Sequence, residues 1–125
     1  MYFCCMENEV NESFEILLAA CQTADSNLAV AYKQLRDLLE RLCRAQMQDE
    51  SLQMTDLSAR ISFVSARAGL TIVEQNRLHT FRLTSNAILN RKEEPVREKL
   101  LRDAKTLAFF IRKLYEVEIP GELYH

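Results

Sequence analysis

Apolar residues recur along this chain at intervals of three and four, and five stretches hold that period long enough to predict helices. The first runs from about Glu7 to Cys21, with Val10, Phe14, Leu17, Leu18 and Cys21 on one face. Thr23-Ala24-Asp25-Ser26 interrupts it, and Ser26 is the expected N-cap of a second helix from about Asn27 to Gln46. There Leu28, Ala31, Tyr32, Leu35, Leu38, Leu39, Leu42 and Cys43 form one wide stripe, with Lys33, Arg36, Asp37, Glu40, Arg41 and Arg44 opposite. After a polar loop, Gln48-Asp49-Glu50-Ser51, Thr55 is expected to cap a third helix that buries Leu57, Ile61 and Val64 and stops at Gly69.

Thr71-Ile72-Val73-Glu74 reads as a capping box opening a fourth helix to about Asn90. Arg91-Lys92-Glu93-Glu94 makes a turn, and Pro95 suits the first position of a fifth helix, where a missing amide costs nothing. That helix is expected to turn Val96, Leu100, Leu101, Ala104, Leu107, Ala108, Ile111 and Leu114 inward. Short connections between long helices predict an all-α fold, an antiparallel up-and-down bundle of about five helices. The expected organisation is a disordered leader over 1–6, one bundle domain over 7–119 and a C-terminal tail over 120–125. Met6 opens a polar segment that reads as a natural start.

Composition agrees with this. A chain of 125 residues is one domain's worth, and two glycines with two prolines are too few for a succession of hairpins. The net charge of −2 argues against a strong non-specific nucleic-acid binder. No apolar run approaches the ~18 residues of a membrane span. Cys4 and Cys5 are adjacent, Cys21 and Cys43 sit within apolar helical patterns, and His79 and His125 are far apart. No spacing suits a metal, none is expected, and thiol usage fits a reducing, cytoplasmic setting. Charge is uneven: residues 1–25 carry five acids and no Lys or Arg, whereas residues 91–113 carry eight bases and four acids. These stretches read as faces that complement one another within the fold or across a dimer. The alternative is a basic track for nucleic acid on the last helix through Arg91, Lys92, Arg97, Lys99 and Arg102.

Signatures of catalysis are missing. The chain has no GxxxxGK[ST], GxGxxG, HExxH or GxSxG, and its paired acids, Asp49-Glu50 and Glu93-Glu94, fall in surface turns. No cofactor is expected. One segment stands apart, Leu78 to Asn90. At 100° per residue His79, Arg82, Asn86 and Asn90 fall within about 80° of each other, a polar stripe along the fourth helix beside an apolar face of Leu78, Phe81, Ser85, Ile88 and Leu89. The stripe reads either as a solvated edge or as a groove lined at an interface.

From Ala31 onward the order of elements resembles the HEPN superfamily of helical domains, in particular the branch of unknown function found in restriction-enzyme and helicase-like polypeptides. The resemblance rests on Ala31-Tyr32-Lys33-Gln34-Leu35-Arg36-Asp37-Leu38-Leu39-Glu40-Arg41-Leu42-Cys43, on Leu78-His79-Thr80-Phe81-Arg82-Leu83-Thr84-Ser85-Asn86, and on Asp103-Ala104-Lys105-Thr106-Leu107-Ala108-Phe109-Phe110-Ile111-Arg112-Lys113-Leu114-Tyr115, about two-thirds of the chain. It assigns Arg82 and Asn86 to the family's arginine and asparagine, and places Asn90 where the family has its histidine. Active members resemble metal-independent ribonucleases whose Arg and His meet across a dimer cleft; a carboxamide at Asn90 cannot exchange a proton there. His79, eleven residues or ~16 Å away along the helix, is a poor substitute, and His125 lies in the tail. Ser85 stands where the family usually has Gly, which implies slightly wider packing. The resemblance therefore implies a non-catalytic, dimeric interaction domain beside a helicase or restriction-type module in bacterial defence or nucleic-acid processing. Two other readings stay open: a ribonuclease acting through Arg82, and a nucleic-acid or nucleotide-binding module using the basic fifth helix.

Overall fold

The computed structural model describes residues 2–47 and 56–116, with side chains from residue 8 onward, and no strand occurs among them. Five helices form the bundle: α1 (Tyr2–Thr23), α2 (Leu28–Gln46), α3 (Leu57–Arg67), α4 (Ile72–Leu89) and α5 (Arg97–Tyr115). Thr55, the polar loop 48–51 and the tail 120–125 lie outside the described residues. The backbone of residues 2–6 continues α1, where a disordered leader was expected. No Pro or Gly interrupts that segment, and adding turns to an existing helix is far easier than nucleating one.

The caps sharpen the boundaries. Asn27, not Ser26, caps α2, its side chain accepting from the Val30 amide at 3.1 Å. Asp56 caps α3 through the Ser58 amide at 3.1 Å. Beyond α3, Gly69 at φ 82° lets the Gly69 and Leu70 amides return to the Ala66 and Ser65 carbonyls. This pair of hydrogen bonds is the Schellman closure that a glycine after a helix favours. Thr71 and Glu74 make the expected capping box, with the Thr71 amide 2.8 Å from Glu74 Oε1. Asn90 caps the far end of α4, and Arg91, at φ 60°, occupies the left-handed position of a second Schellman closure.

The start of α5 departs from expectation. Val96 is its N-cap and makes no side-chain cap bond, so Pro95 lies outside the helix rather than at its first position. Val96 is 53% exposed instead of inward, because the residue before a helix turns away from the stripe that the helix buries.

α2 is the axis of the bundle and packs on all four other helices. Ala31, Tyr32, Leu35, Leu38, Leu39, Leu42 and Cys43 are buried as the stripe predicted. Val10, Phe14, Leu17 and Ala20 of α1, Leu57, Ile61 and Val64 of α3, Leu78, Phe81 and Ile88 of α4, and Leu100, Leu107, Phe110 and Ile111 of α5 close round it. Leu18, Cys21, Leu28, Leu101 and Leu114, expected inside, are only partly buried at the margins of that core. Contacts at both ends orient the helices: Arg97 meets Asp25 at 3.1 Å, and Tyr115 Oη lies 3.4 Å from Glu9, so α5 runs antiparallel to α1. Arg41 pairs with Glu12 at 2.8 Å between α1 and α2. The acidic start and basic end of the chain thus meet within one bundle, in part as complementary faces.

The α4–α5 connection carries two local misfits, a valine as N-cap and an arginine at a left-handed position. Val96→Ser and Arg91→Gly should each raise stability by about 0.5–1 kcal/mol, the ordinary worth of a cap or of relieving a left-handed side chain. Denaturant unfolding followed by circular dichroism checks this.

Candidate functional site

The α4 stripe forms, but only in part as a lined groove. His79, Arg82 and Asn86 are partly buried on one flank of α4, and Asn90, exposed, ends the helix. His79 Nε2 lies 3.0 Å from Ser62 Oγ, which ties this flank to α3. Burial, helped by the nearby Arg82 guanidinium, holds the His79 imidazole below its usual range. Arg82 Nε is buried and has no hydrogen-bond partner. No ion pair or hydrogen bond joins the Arg82, Asn86 and Asn90 side chains among the described residues. Ser85 is fully buried and donates to the Arg82 carbonyl at 2.9 Å, satisfying itself within its own helix. Leu89, expected on the apolar face, is 39% exposed.

The outward face of α4 is unusual in a different way. Between the α3 flank and the α5 flank lie Ile72, Val73, Asn76, Thr80, Leu83 and Ala87, none charged. Ile72 is 73% exposed, Val73 60% and Leu83 57%. α4 carries three charged side chains in all, Glu74, Arg77 and Arg82, and none of them sits on this face. A helix side that meets only water normally carries charged residues at such positions.

On the other flank α4 and α5 leave an open groove of about 670 Å³. Its lining includes Arg77 from α4, Lys99, Arg102, Lys105 and Asp103 from α5, and the apolar Leu70, Leu78 and Phe109. Asp103 accepts a hydrogen bond from the buried Tyr32 hydroxyl at 3.0 Å, and the Tyr32 ring stacks on Phe81 with centroids 6.2 Å apart. Burial raises the Asp103 carboxyl, against the pull of its Tyr32 hydrogen bond and of Lys99 and Arg102. Burial and the adjacent carboxylate push the Tyr32 phenol well above its usual range.

The five bases proposed from sequence as a nucleic-acid track are divided between the turn after α4 and the first two turns of α5. Arg97 is held by Asp25, Lys99 pairs with Glu93 at 3.3 Å, and Arg91 and Lys92 belong to the turn after α4; only Lys99 and Arg102 reach the groove. Arg77, Lys105, Thr80 and Phe109 complete that groove without standing out in the sequence, since their meeting depends on how α4 and α5 pair. Among the described residues no group of three or more His, Cys, Asp or Glu gathers at one place. No helix there is long and apolar enough to cross a membrane. Cys21 and Cys43 are free thiols; burial raises both, Cys43 to about 12, so neither is a reactive nucleophile at neutral pH. Comparison of the chain with protein-family models, curated proteins and solved structures finds no match.

The Tyr32–Asp103 bond sets two expectations. Tyr32→Phe removes the donor and leaves a half-buried carboxylate short of a partner, which should cost about 1–3 kcal/mol. The Asp103 carboxyl holds its proton to higher pH folded than unfolded, so its contribution to stability is full below its ordinary value of 3.8 and is lost as pH rises through the folded value. Asp103→Asn, which keeps an acceptor for Tyr32, should abolish that decline, as read from unfolding free energies across the acid range.

Proposed function

We propose that this chain is a non-catalytic helical interaction domain that pairs with a second copy of itself through the outward face of α4. The observation that carries the reading is the uncharged surface of Ile72, Val73, Asn76, Leu83 and Ala87, with three aliphatic side chains more than half in water. A two-fold contact sets each surface against its own copy, so like charges would face each other; this face has none. Asn76 lies on it and Asn90 borders it, and an amide both donates and accepts, so an asparagine can satisfy its own copy across an axis. Arg82 lies off this face toward α3, and Glu74 is engaged in the capping box, which leaves the contact free of both.

The HEPN-like resemblance belongs to the same proposal. The three stretches that carry it fall on α2, α4 and α5, which pack on one another. With it come a role beside a helicase or restriction-type module and a cytoplasmic setting. Asn90 at the family's histidine position cannot exchange a proton, and His79 is hydrogen-bonded to Ser62 at a distance along the helix, which supports a domain without ribonuclease chemistry.

Self-association is tested by sedimentation velocity at tens of micromolar, where a ~1 μM contact saturates. Wild type should sediment as a dimer and Leu83→Glu as a monomer, and an already exposed leucine allows that variant to fold. A wild-type monomer, or a Leu83→Glu dimer, sinks the proposal. The second expectation concerns chemistry: the purified protein should leave a single-stranded RNA substrate intact. Cleavage that disappears in Arg82→Ala would replace the non-catalytic reading with the ribonuclease one.

A further inference from the structure

The sequence that follows α5 alternates with a period that the helices lack. From Glu116 to Leu123, Val117, Ile119 and Leu123 hold odd positions and Glu116, Glu118 and Glu122 even ones, with no Lys or Arg among them. A period of two gives an extended chain one apolar edge and one acidic edge. Pro120-Gly121, between the two halves, is unsuited to a helix. Residues from 117 onward lie outside the described residues.

The α4–α5 groove is the complement of such a chain. Leu70, Leu78 and Phe109 give it an apolar floor, and Arg77 on one wall faces Lys99 and Arg102 on the other. Exposed cations occur elsewhere on the bundle; here they flank apolar residues from two helices at once. The two acids of the lining are engaged, Glu74 Oε1 with the Thr71 amide at 2.8 Å and Asp103 with the Tyr32 hydroxyl at 3.0 Å. Lys99, Arg102, Thr106, Phe109 and Lys113 recur every three or four residues, so this flank of α5 continues to within a turn of the helix end. The Lys113 ammonium lies 5.5 Å from the Phe109 ring centroid, at that end of the wall.

We propose that residues 117–123 run back along α5 and occupy the α4–α5 groove of their own chain, with Ile119 on Phe109 and Glu122 on Arg102. Reach sets this register. Glu116, at φ 53°, ends α5 in the left-handed conformation with its amide bonded to the Arg112 carbonyl, a cap after which a chain leaves the helix direction. Phe109 lies seven residues back, about 10 Å of helix rise, and three extended residues from Glu116 to Ile119 cover about 10 Å. Arg102 lies fourteen residues back, about 21 Å, and six extended residues to Glu122 cover about 20 Å. An Arg–carboxylate contact there is charge-assisted, and Arg77 faces it from the opposite wall. The groove is distinct from the α4 self-association face, although Val73, Asn76 and Thr80 edge both.

Nuclear magnetic resonance on the full chain tests the proposal, on wild type and on Leu83→Glu, which alters the self-association face and not the groove lining. Both proteins should show nuclear Overhauser contacts between the Ile119 methyls and the Phe109 ring. Amide order parameters at Ile119 and Leu123 should approach the ~0.85 of rigid backbone and fall below ~0.6 in Ile119→Ser/Leu123→Ser. That variant should also shift the Arg102 and Phe109 amides. Glu122→Arg should lower the order parameter at Leu123, and Glu122→Arg/Arg102→Glu should restore it; Arg102 is exposed, so the exchange leaves the core intact. Absence of the Ile119–Phe109 contact in both proteins overturns the proposal, as does order that survives Ile119→Ser/Leu123→Ser. A charge exchange that fails to restore order overturns the Glu122–Arg102 register. In an equal mixture of labelled and unlabelled chains, contacts seen only between molecules would mean that the segment occupies the groove of a second copy, which overturns docking within one chain.

Discussion

Everything in this bundle follows from the width of the apolar stripe on α2. A surface helix presents a band that one or two neighbours can cover. The stripe on α2 instead holds eight apolar positions, seven of them buried, and its uncharged arc spans the faces turned toward α1, α3, α4 and α5. Keeping water off such a band at roughly 25 cal/mol per Å² is the largest favourable term available to a chain of this size. It forces the other helices into a ring round α2. Their own stripes then need only one apolar side each, which is why α5 and α1 remain charged on their outer faces.

Tyr32 is where that constraint reaches the surface. A phenol at zero exposure must find a partner for its hydroxyl. α5 supplies the Asp103 carboxylate, which lies at the edge of the α4–α5 groove. Holding Asp103 fixes which turn of α5 faces α4, and hence which of its cations line the groove rather than point to solvent. The stack of Tyr32 on Phe81 does the same for α4. The charged groove is thus registered by a core residue, not by surface ion pairs, which are individually worth little.

The sequence shows what is periodic and hides what depends on pairing. The five helices, the α2 stripe, the capping box at Thr71 and Glu74 and the stop at Gly69 are local features, and each could be read from spacing and residue type. Val96 misled because its place in the α5 period looks apolar and inward, although the chain enters the helix just there. Cap positions moved by a single residue, from Ser26 to Asn27, since two adjacent side chains can each serve and only backbone geometry chooses. The polar stripe on α4 was legible as a stripe, but not that its Arg82 would be partly buried with Nε unpartnered while Asn90 ends the helix in water. The groove was hidden altogether: Arg77 and Lys99 are twenty-two residues apart, and their proximity is a product of the α4–α5 hairpin.

α4 itself holds the functional interest because it is the least satisfied helix of the five. One side rests on α2, and each remaining side presents a different surface to its surroundings. Toward α3 lie His79 and Arg82, both half-sheltered, with His79 bonded to Ser62. Outward lie aliphatic residues without charge, and toward α5 lies Arg77 with the cations across the groove. A helix whose only task was to cover α2 would carry solvating charges on the outward face, as the opposite side of α2 does with Lys33, Asp37 and Arg44. Substituting charge there would not disturb the core, so folding gives no reason for its absence. A stable bundle tolerates exposed Ile72, Val73 and Leu83 but does not require them, and the reason for them lies with whatever covers that face.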